Sequence, residues 1–367
     1  MLCFNTERQI RDMLLRQLRR FVSPPKCLEL DSLSLKQETS IYLVKSCNHP
    51  LRPPALYVIR QNGAGRGLFS LVSSVVCHLH LSERYGLVPC VDFSRVPSEY
   101  RDPKLNEAGH LNRANPWEYY FKPVVEIPVA AERDTRFSMT LASSTGFPDG
   151  YPRKMLISHV QELRDIAVRY IQPSDELASE LEEVKAHVLA GHKVLGVHFR
   201  GQEQKTMPYH PLSPTLAQMF AAINESIAKH HFTRIFVASE DQDYVDAILN
   251  RYPDLALTLP HFRTRSPVNA YRINPRPMHK YLLGKEILFD AFILASCDGL
   301  VSSTSNVTEF ARAYNNGRYL TDLVIDNGLN AANPLLAKYV WSLKNILPER
   351  MGGFSMSAIQ QFPALHE

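Results

Sequence analysis

The sequence predicts an α/β protein built as two Rossmann-like domains facing a central cleft. Three observations carry that expectation. Strand-length apolar runs alternate with helix-length amphipathic segments in both halves, the order that builds parallel sheets. A glycine-rich turn, "NGAGRG" at 62–67, links a strand to a helix. The 367 residues, 45% of them apolar, are enough for two cores of ordinary size.

Taken in order, "ALYVIR" (55–60) reads as a strand, 62–67 as a turn, 68–85 as a helix and 87–92 as a second strand. That is a βαβ unit. Residues 98–153, rich in Asn, Pro and aromatics around "NPWEYYFKPV", read as a long irregular segment of the kind that lines a site. A charged helical pattern covers 155–190, with Gly191 suited to its C-terminal cap. Strands at 194–199, 234–238, 255–259, 299–302 and 319–325 then alternate with helices at 214–229, 242–250, 280–296 and from about 307. The domains are expected at 1–165 and 166–345, with 346–367 as a tail whose neighbour "PLLAKYVWSLKNIL" returns as a helix.

Composition excludes several classes. The net charge of +4 is small and dispersed, and no zinc-finger or Lys/Arg-block signature occurs, so nucleic acid is not an expected partner. Cys3, Cys27, Cys47, Cys77, Cys90 and Cys297 form no C-x-x-C pair, and most sit among apolar neighbours, as reduced cysteines do. With no apolar run suited to a signal peptide or membrane span, the expected location is the cytoplasm. The sequons at Asn224 and Asn306 are then chance matches. Residues 8–22 place Ile10, Met13, Leu14, Leu18 and Phe21 on one helical face opposite Arg11, Arg16, Arg19 and Arg20. Such a helix either docks on its own domain or makes peripheral contact with an anionic membrane, here the inner membrane.

Four stretches can carry chemistry. In "KVLGVHFRGQEQ" (193–204), side chains alternate, so His198 and Arg200 share one face at the carboxyl end of a strand. Ligands of open α/β sheets bind there, and a guanidinium fork suits a phosphate or diphosphate. In "FVASEDQD", Glu240 and Asp241 follow a strand, Ser239 with Gln242 fits a capping box, and Asp241 with Asp243 spells D-x-D. Asp290 sits in an apolar helix and needs a partner. Thr304, Ser305 and Asn306 stand at a strand-to-helix junction, where hydroxyl and amide groups join free N–H groups in an anion site or simply cap the helix. Gly63 and Gly65 lie in the 62–67 turn, which lacks both G-x-G-x-x-G and G-K-[ST], and Arg66 beside them can reach a ligand.

Together, "GVHFRG" with Glu203, then "FVASED", then "ILFDAFILASCDGLVSSTSN" resemble three ordered motifs of fucosyltransferases. The relatives are the alpha-1,6-fucosyltransferases of the core N-glycan and bacterial nodulation type and, more distantly, the protein O-fucosyltransferases. The resemblance covers about 194–312 and more loosely 55–93; the first 50 residues and the tail show none. It implies a GT-B-like fold and an inverting, metal-independent transfer of fucose from GDP-fucose to a glycan hydroxyl, with no cofactor beyond the donor. It implies that His198 and Arg200 hold the diphosphate, that Asp241 and Asp290 contact the nucleoside, and that Ser305 and Asn306 belong to a phosphate turn. Bacterial cell-surface polysaccharide synthesis is the implied context. The sequence departs from the family pattern at Gly201, where relatives carry a second Arg, at Gln202-Glu203, where they carry Thr-Asp, and in a phosphate turn one residue shorter.

Arg200 is therefore expected to stabilise the leaving diphosphate and Glu203 to act as base, with Glu118 as its rival. The alternatives are a transferase using another nucleotide sugar, metal-dependent through Asp241 and Asp243, and a protein that binds a nucleotide sugar without turnover.

Overall fold

A computed structural model describes residues 55–102, 105, 115–125, 139–143, 146–148, 151, 157–265 and 270–362, with backbone alone at 55, 139–143, 202 and 203. Residues 8–22 lie outside that set. Among the described residues no helix is long and apolar enough to cross a membrane.

The first half is a parallel sheet. β1 (Ala55–Ile59) lies between β2 (Val88–Val91) and β3 (Met139–Ser143), and α1 (Leu68–Arg84) crosses from β1 to β2. The second sheet has six strands. Its central β4 (Val194–His198) is followed outward by β5 (Arg234–Ala238) and β6 (Ala256–Leu257). On the other side lie β7 (Gly299–Ser303), β8 (Asp322–Ile325) and an antiparallel β9 (Ile359–Gln361). The chain thus leaves β4 in one direction and returns to build the sheet in the other. A crevice opens where β4 and β7 diverge, beyond their carboxyl ends.

Side-chain alternation in β4 sets the two faces. Leu195, Val197 and Phe199 pack with Met219 and Ile223 of α5 (Leu216–His230) and with Val245 and Ile248 of α6 (Gln242–Arg251). Val194, on the opposite face, joins the core that includes Leu294 of α7 (His279–Ser296). Gly196 shares that face, and a Cβ there would lie 2.9 Å from Leu294 Cδ2 and 3.2 Å from Cys297 Sγ. The missing side chain lets α7 press onto the sheet, and it leaves His198 as the next side chain on that face.

The halves share a buried core. Phe310 of α8 (Asn306–Asn315) stacks against Phe69 of α1 with ring centroids 4.7 Å apart and against Phe292 of α7 at 5.2 Å. Tyr120 donates its hydroxyl to the carbonyl of Tyr281 at 3.2 Å. Ser158 donates to Glu309 Oε2 at 2.5 Å. Burial pushes the Glu309 carboxyl up to about 7, although Arg312 opposes the shift.

The helical pattern at 155–190 holds α2 (Gln161–Tyr170) and α3 (Asp175–Leu189), parted at Pro173, which cannot continue the ladder. Three sequence readings are corrected. The stretch 98–153, read as irregular, contains β3. The tail after 345 contains β9, which follows α4 (Gln202–Thr206) and α9 (Pro334–Ile346) in the chain and pairs with β8. The N-cap of α6 is Asp241, which accepts from the N–H groups of Asp243 and Tyr244. Ser239 instead donates to the carbonyl of Phe199 at 2.6 Å.

Candidate functional site

A cavity of about 390 Å³ lies at the crevice and is bounded by both halves. Two helix N-termini open onto it: Gly65–Ser70 at the start of α1 and Ser305–Val307 at the start of α8. The dipoles of these helices favour an anion, although at the α1 end Leu68 N already donates to the Tyr100 hydroxyl at 2.9 Å. Ser305 caps α8 by accepting from Thr308 N at 3.2 Å, so capping and cavity lining coexist there. Arg200 lies past the end of β4 and lines the same cavity. Its Nε is 3.3 Å from Glu240 Oε1, and its backbone N–H donates to Ser303 Oγ at 3.3 Å. Arg66 adds a second guanidinium, whose Nη2 donates to the carbonyl of Ser70 at 2.7 Å. Burial lowers its pKa to about 10, still cationic at neutral pH.

The opposite chemistry is supplied by β4 and α7. His198 is buried, and its Nδ1 lies 3.0 Å from the carbonyl of Ala238. A carbonyl only accepts, so Nδ1 carries the proton in the neutral ring and Nε2 carries the lone pair. Burial lowers the His198 pKa, so the ring is neutral at neutral pH. It contributes an acceptor, which does not suit the diphosphate contact that the resemblance implied for it. Its Nε2 has no hydrogen-bond partner. Asp290 Oδ1 lies 3.0 Å from His261 Nδ1 but out of line for a hydrogen bond, which leaves both atoms open. Buried polar atoms without partners are costly, and here they line a cavity sized for a ligand.

The structure brings Gly65, His198, Arg200, Asp290, Ser305 and Asn306 to this cavity. It does not bring Gly63, Thr304, Glu118 or Asp241 there. Gly63 donates its N–H to the carbonyl of Pro97 at 2.9 Å. Glu118 accepts from Asn115 Nδ2 at 3.0 Å. The Glu203 side chain lies outside the described residues. Asp241, expected to touch a nucleoside, is fully buried under Gly201 as the cap of α6. Its Oδ2 faces Lys205 Nζ at 3.8 Å, too long for a hydrogen bond. Burial raises the Asp241 pKa and lowers that of Lys205, so each loses more in desolvation than the other returns. Lys205 Nζ is also 4.7 Å from the ring centroids of both Tyr244 and Trp341. Asp243 is exposed and paired with Arg265, so the two carboxylates of D-x-D are engaged in different places.

The burial of Asp241 also accounts for Gly201. A Cβ at that position would sit 1.9 Å from Asp241 Oδ2 and 2.5 Å from its Cβ and Cγ. No arginine fits there while Asp241 holds its place.

Sequence reasoning missed Glu240, His210, His261 and Glu286 as cavity residues. Glu240 was within reach of the alternation rule. Phe236 and Ala238 belong to the same face as Val194 and His198, and Glu240 continues that parity, whereas Asp241 does not. The others come from loops and from α7, with no strand pattern to announce them. A wider opening of about 1110 Å³ lies between 94–102 and 274–280. Of its three arginines, Arg101 is committed to the carbonyls of Phe93 and Ser94 and Arg276 to both oxygens of Glu286.

No family model matches the chain, and no curated protein matches it. Solved structures do. One is the NodZ alpha-1,6-fucosyltransferase soaked with GDP-fucose, at 15% identity and a TM-score of 0.49, covering 74% of this chain and 95% of that one. The fucosyltransferase NodZ from Bradyrhizobium gives 14% identity and a TM-score of 0.45, covering 75% and 96%. POFUT1 in complex with GDP gives 13% identity and a TM-score of 0.42, covering 74% and 97%.

Proposed function

We propose that this protein is an inverting glycosyltransferase that uses a guanosine diphosphate sugar, GDP-fucose first among them, and a glycan hydroxyl as acceptor. The observation that supports this most is the polarity of the cavity. Arg200 and two helix N-termini suit a diphosphate, while Asp290 Oδ1 and His198 Nε2 present unpaired acceptors. Among nucleobases, guanine offers adjacent N–H donors that a carboxylate accepts, whereas the single N–H of uracil is flanked by carbonyls. Fucose itself follows from the motif resemblance in the sequence, and the polysaccharide context from that resemblance together with the cytoplasmic location expected from the sequence.

In the proposed reaction the acceptor oxygen attacks the anomeric carbon from the face opposite GDP. Charge grows on the diphosphate as the bond to the sugar breaks. Arg200 and the α8 N-terminus stabilise it, a contribution on the order of 100-fold in rate for one such donor. That charge is met without calling on a metal. A thermal-shift panel of GDP, UDP, CMP and dTDP, followed by donor hydrolysis with EDTA present, tests the proposal. GDP should stabilise the protein and GDP-fucose should be turned over. Stabilisation by UDP and not by GDP removes it. Stabilisation by GDP without hydrolysis or transfer of any GDP-sugar favours the non-catalytic reading.

A further inference from the structure

On the glycosyltransferase reading, the attacking hydroxyl must give up a proton, and the acids that line the cavity are mostly committed. Glu240 Oε1 faces Arg200 Nε and accepts from Gly201 N, both at 3.3 Å. Glu286 is held at both oxygens by Arg276, at 2.7 Å each, and accepts from Phe262 N at 3.2 Å. On that reading Asp290 Oδ1 and His198 Nε2 are taken up by the nucleobase.

His210 differs. Its Nδ1 lies 2.9 Å from the carbonyl of Pro208, so Nδ1 carries the proton and Nε2 the lone pair. The backbone that carries it is fixed. Tyr209, just before it, adopts a left-handed φ of 59°. Asn330 N donates to the His210 carbonyl at 2.8 Å, and Leu212 N to the Gly328 carbonyl at 2.9 Å. Ser213 Oγ donates to the Gly201 carbonyl at 2.8 Å, which draws this segment alongside the residue that follows Arg200. His210 therefore lines the cavity on the Arg200 side, with a tautomer set by the chain itself. A strained residue held by several backbone bonds beside a ligand cavity is the pattern of a positioned functional group.

We infer that His210 is the general base. Its Nε2 takes the proton of the attacking hydroxyl as that oxygen bonds to the anomeric carbon. The bond from that carbon to the β-phosphate oxygen breaks, and its electron pair leaves with GDP. The imidazolium then returns the proton to solvent. This assignment takes the place of Glu203 and Glu118.

Donor hydrolysis uses water as acceptor, so the test needs no natural acceptor. Wild type, His210→Asn and His210→Ala are compared for GDP-fucose hydrolysis and for the thermal shift given by GDP. His210→Asn keeps a donor for the Pro208 carbonyl. It should hydrolyse on the order of 100-fold more slowly, lose the acid limb of kcat/KM against pH, and keep the wild-type GDP shift. Added imidazole should restore part of the rate to His210→Ala. Hydrolysis within about threefold of wild type, or a rate loss that merely follows a lost GDP shift, overturns the assignment. A wild-type protein that GDP does not stabilise overturns the glycosyltransferase reading, and the base with it.

Discussion

Gly201→Ala is the sharpest test of why this chain carries glycine directly after Arg200. The added Cβ would sit 1.9 Å from Asp241 Oδ2, a distance no real contact allows. Asp241 is fully buried and cannot swing aside without leaving the Asp243 and Tyr244 N–H groups. Losing that cap costs about 1 kcal/mol. Overpacking adds roughly 1–3 kcal/mol. A total near 3 kcal/mol corresponds to a drop in Tm of about 6–12 °C for a unit the size of the second half. Calorimetry measures it, on Gly201→Ala alone and on the Asp241→Gly background. Removing the whole side chain, whose Cβ also lies 2.5 Å from the added atom, frees the space, so there the same substitution should cost under about 1 kcal/mol. A Gly201→Ala cost below about 0.5 kcal/mol, or an equal cost in both backgrounds, would falsify the steric account.

Two further outcomes follow from the contacts between the halves. The Glu309 carboxyl is raised to about 7 in the folded chain, from 4.5 when exposed. Its stabilisation is complete below pH 4.5, declines as pH climbs towards 7 and is gone above it, a span of roughly 3 kcal/mol at most. Glu309→Gln should flatten that slope in urea titrations at pH 5 and pH 7.5, and an unchanged slope would place the titration elsewhere. Gly284→Ala would put a Cβ 2.3 Å from the Tyr120 ring, where α7 meets the first half. A loss of roughly 1–3 kcal/mol is expected, and Tyr120→Phe should relieve only part of it, because ring carbons at 2.3 and 2.6 Å are struck as well as the hydroxyl at 2.4 Å.

Much of the fold could be read from local pattern, and the misses share a cause. Val194 to Arg200 alternate strictly, so the faces of β4 and the outlook of His198 and Arg200 follow from parity alone. β9 is three residues whose existence depends on pairing with β8, more than 30 positions earlier, and nothing local marks it. The role of Asp241 was likewise a matter of direction. The letters "SED" cannot say that Glu240 turns to the cavity while Asp241 turns under Gly201, unless the strand's parity is carried past its end. His198 was expected on the diphosphate because burial, which lowers its pKa, is a property of the packed sheet. His210 had no pattern to reveal it, since its tautomer depends on a turn that brings Pro208 beside it.

The central claim is that this cavity takes a guanosine diphosphate with its base against Asp290. Calorimetric titration of wild type and Asp290→Asn with GDP and with UDP, in EDTA, tests it most directly. GDP should bind at least about tenfold more tightly than UDP, and Asp290→Asn should weaken GDP by a factor on the order of ten to one hundred while leaving UDP unchanged. UDP binding as tightly as GDP, or an Asn variant that binds GDP as wild type does, would contradict it.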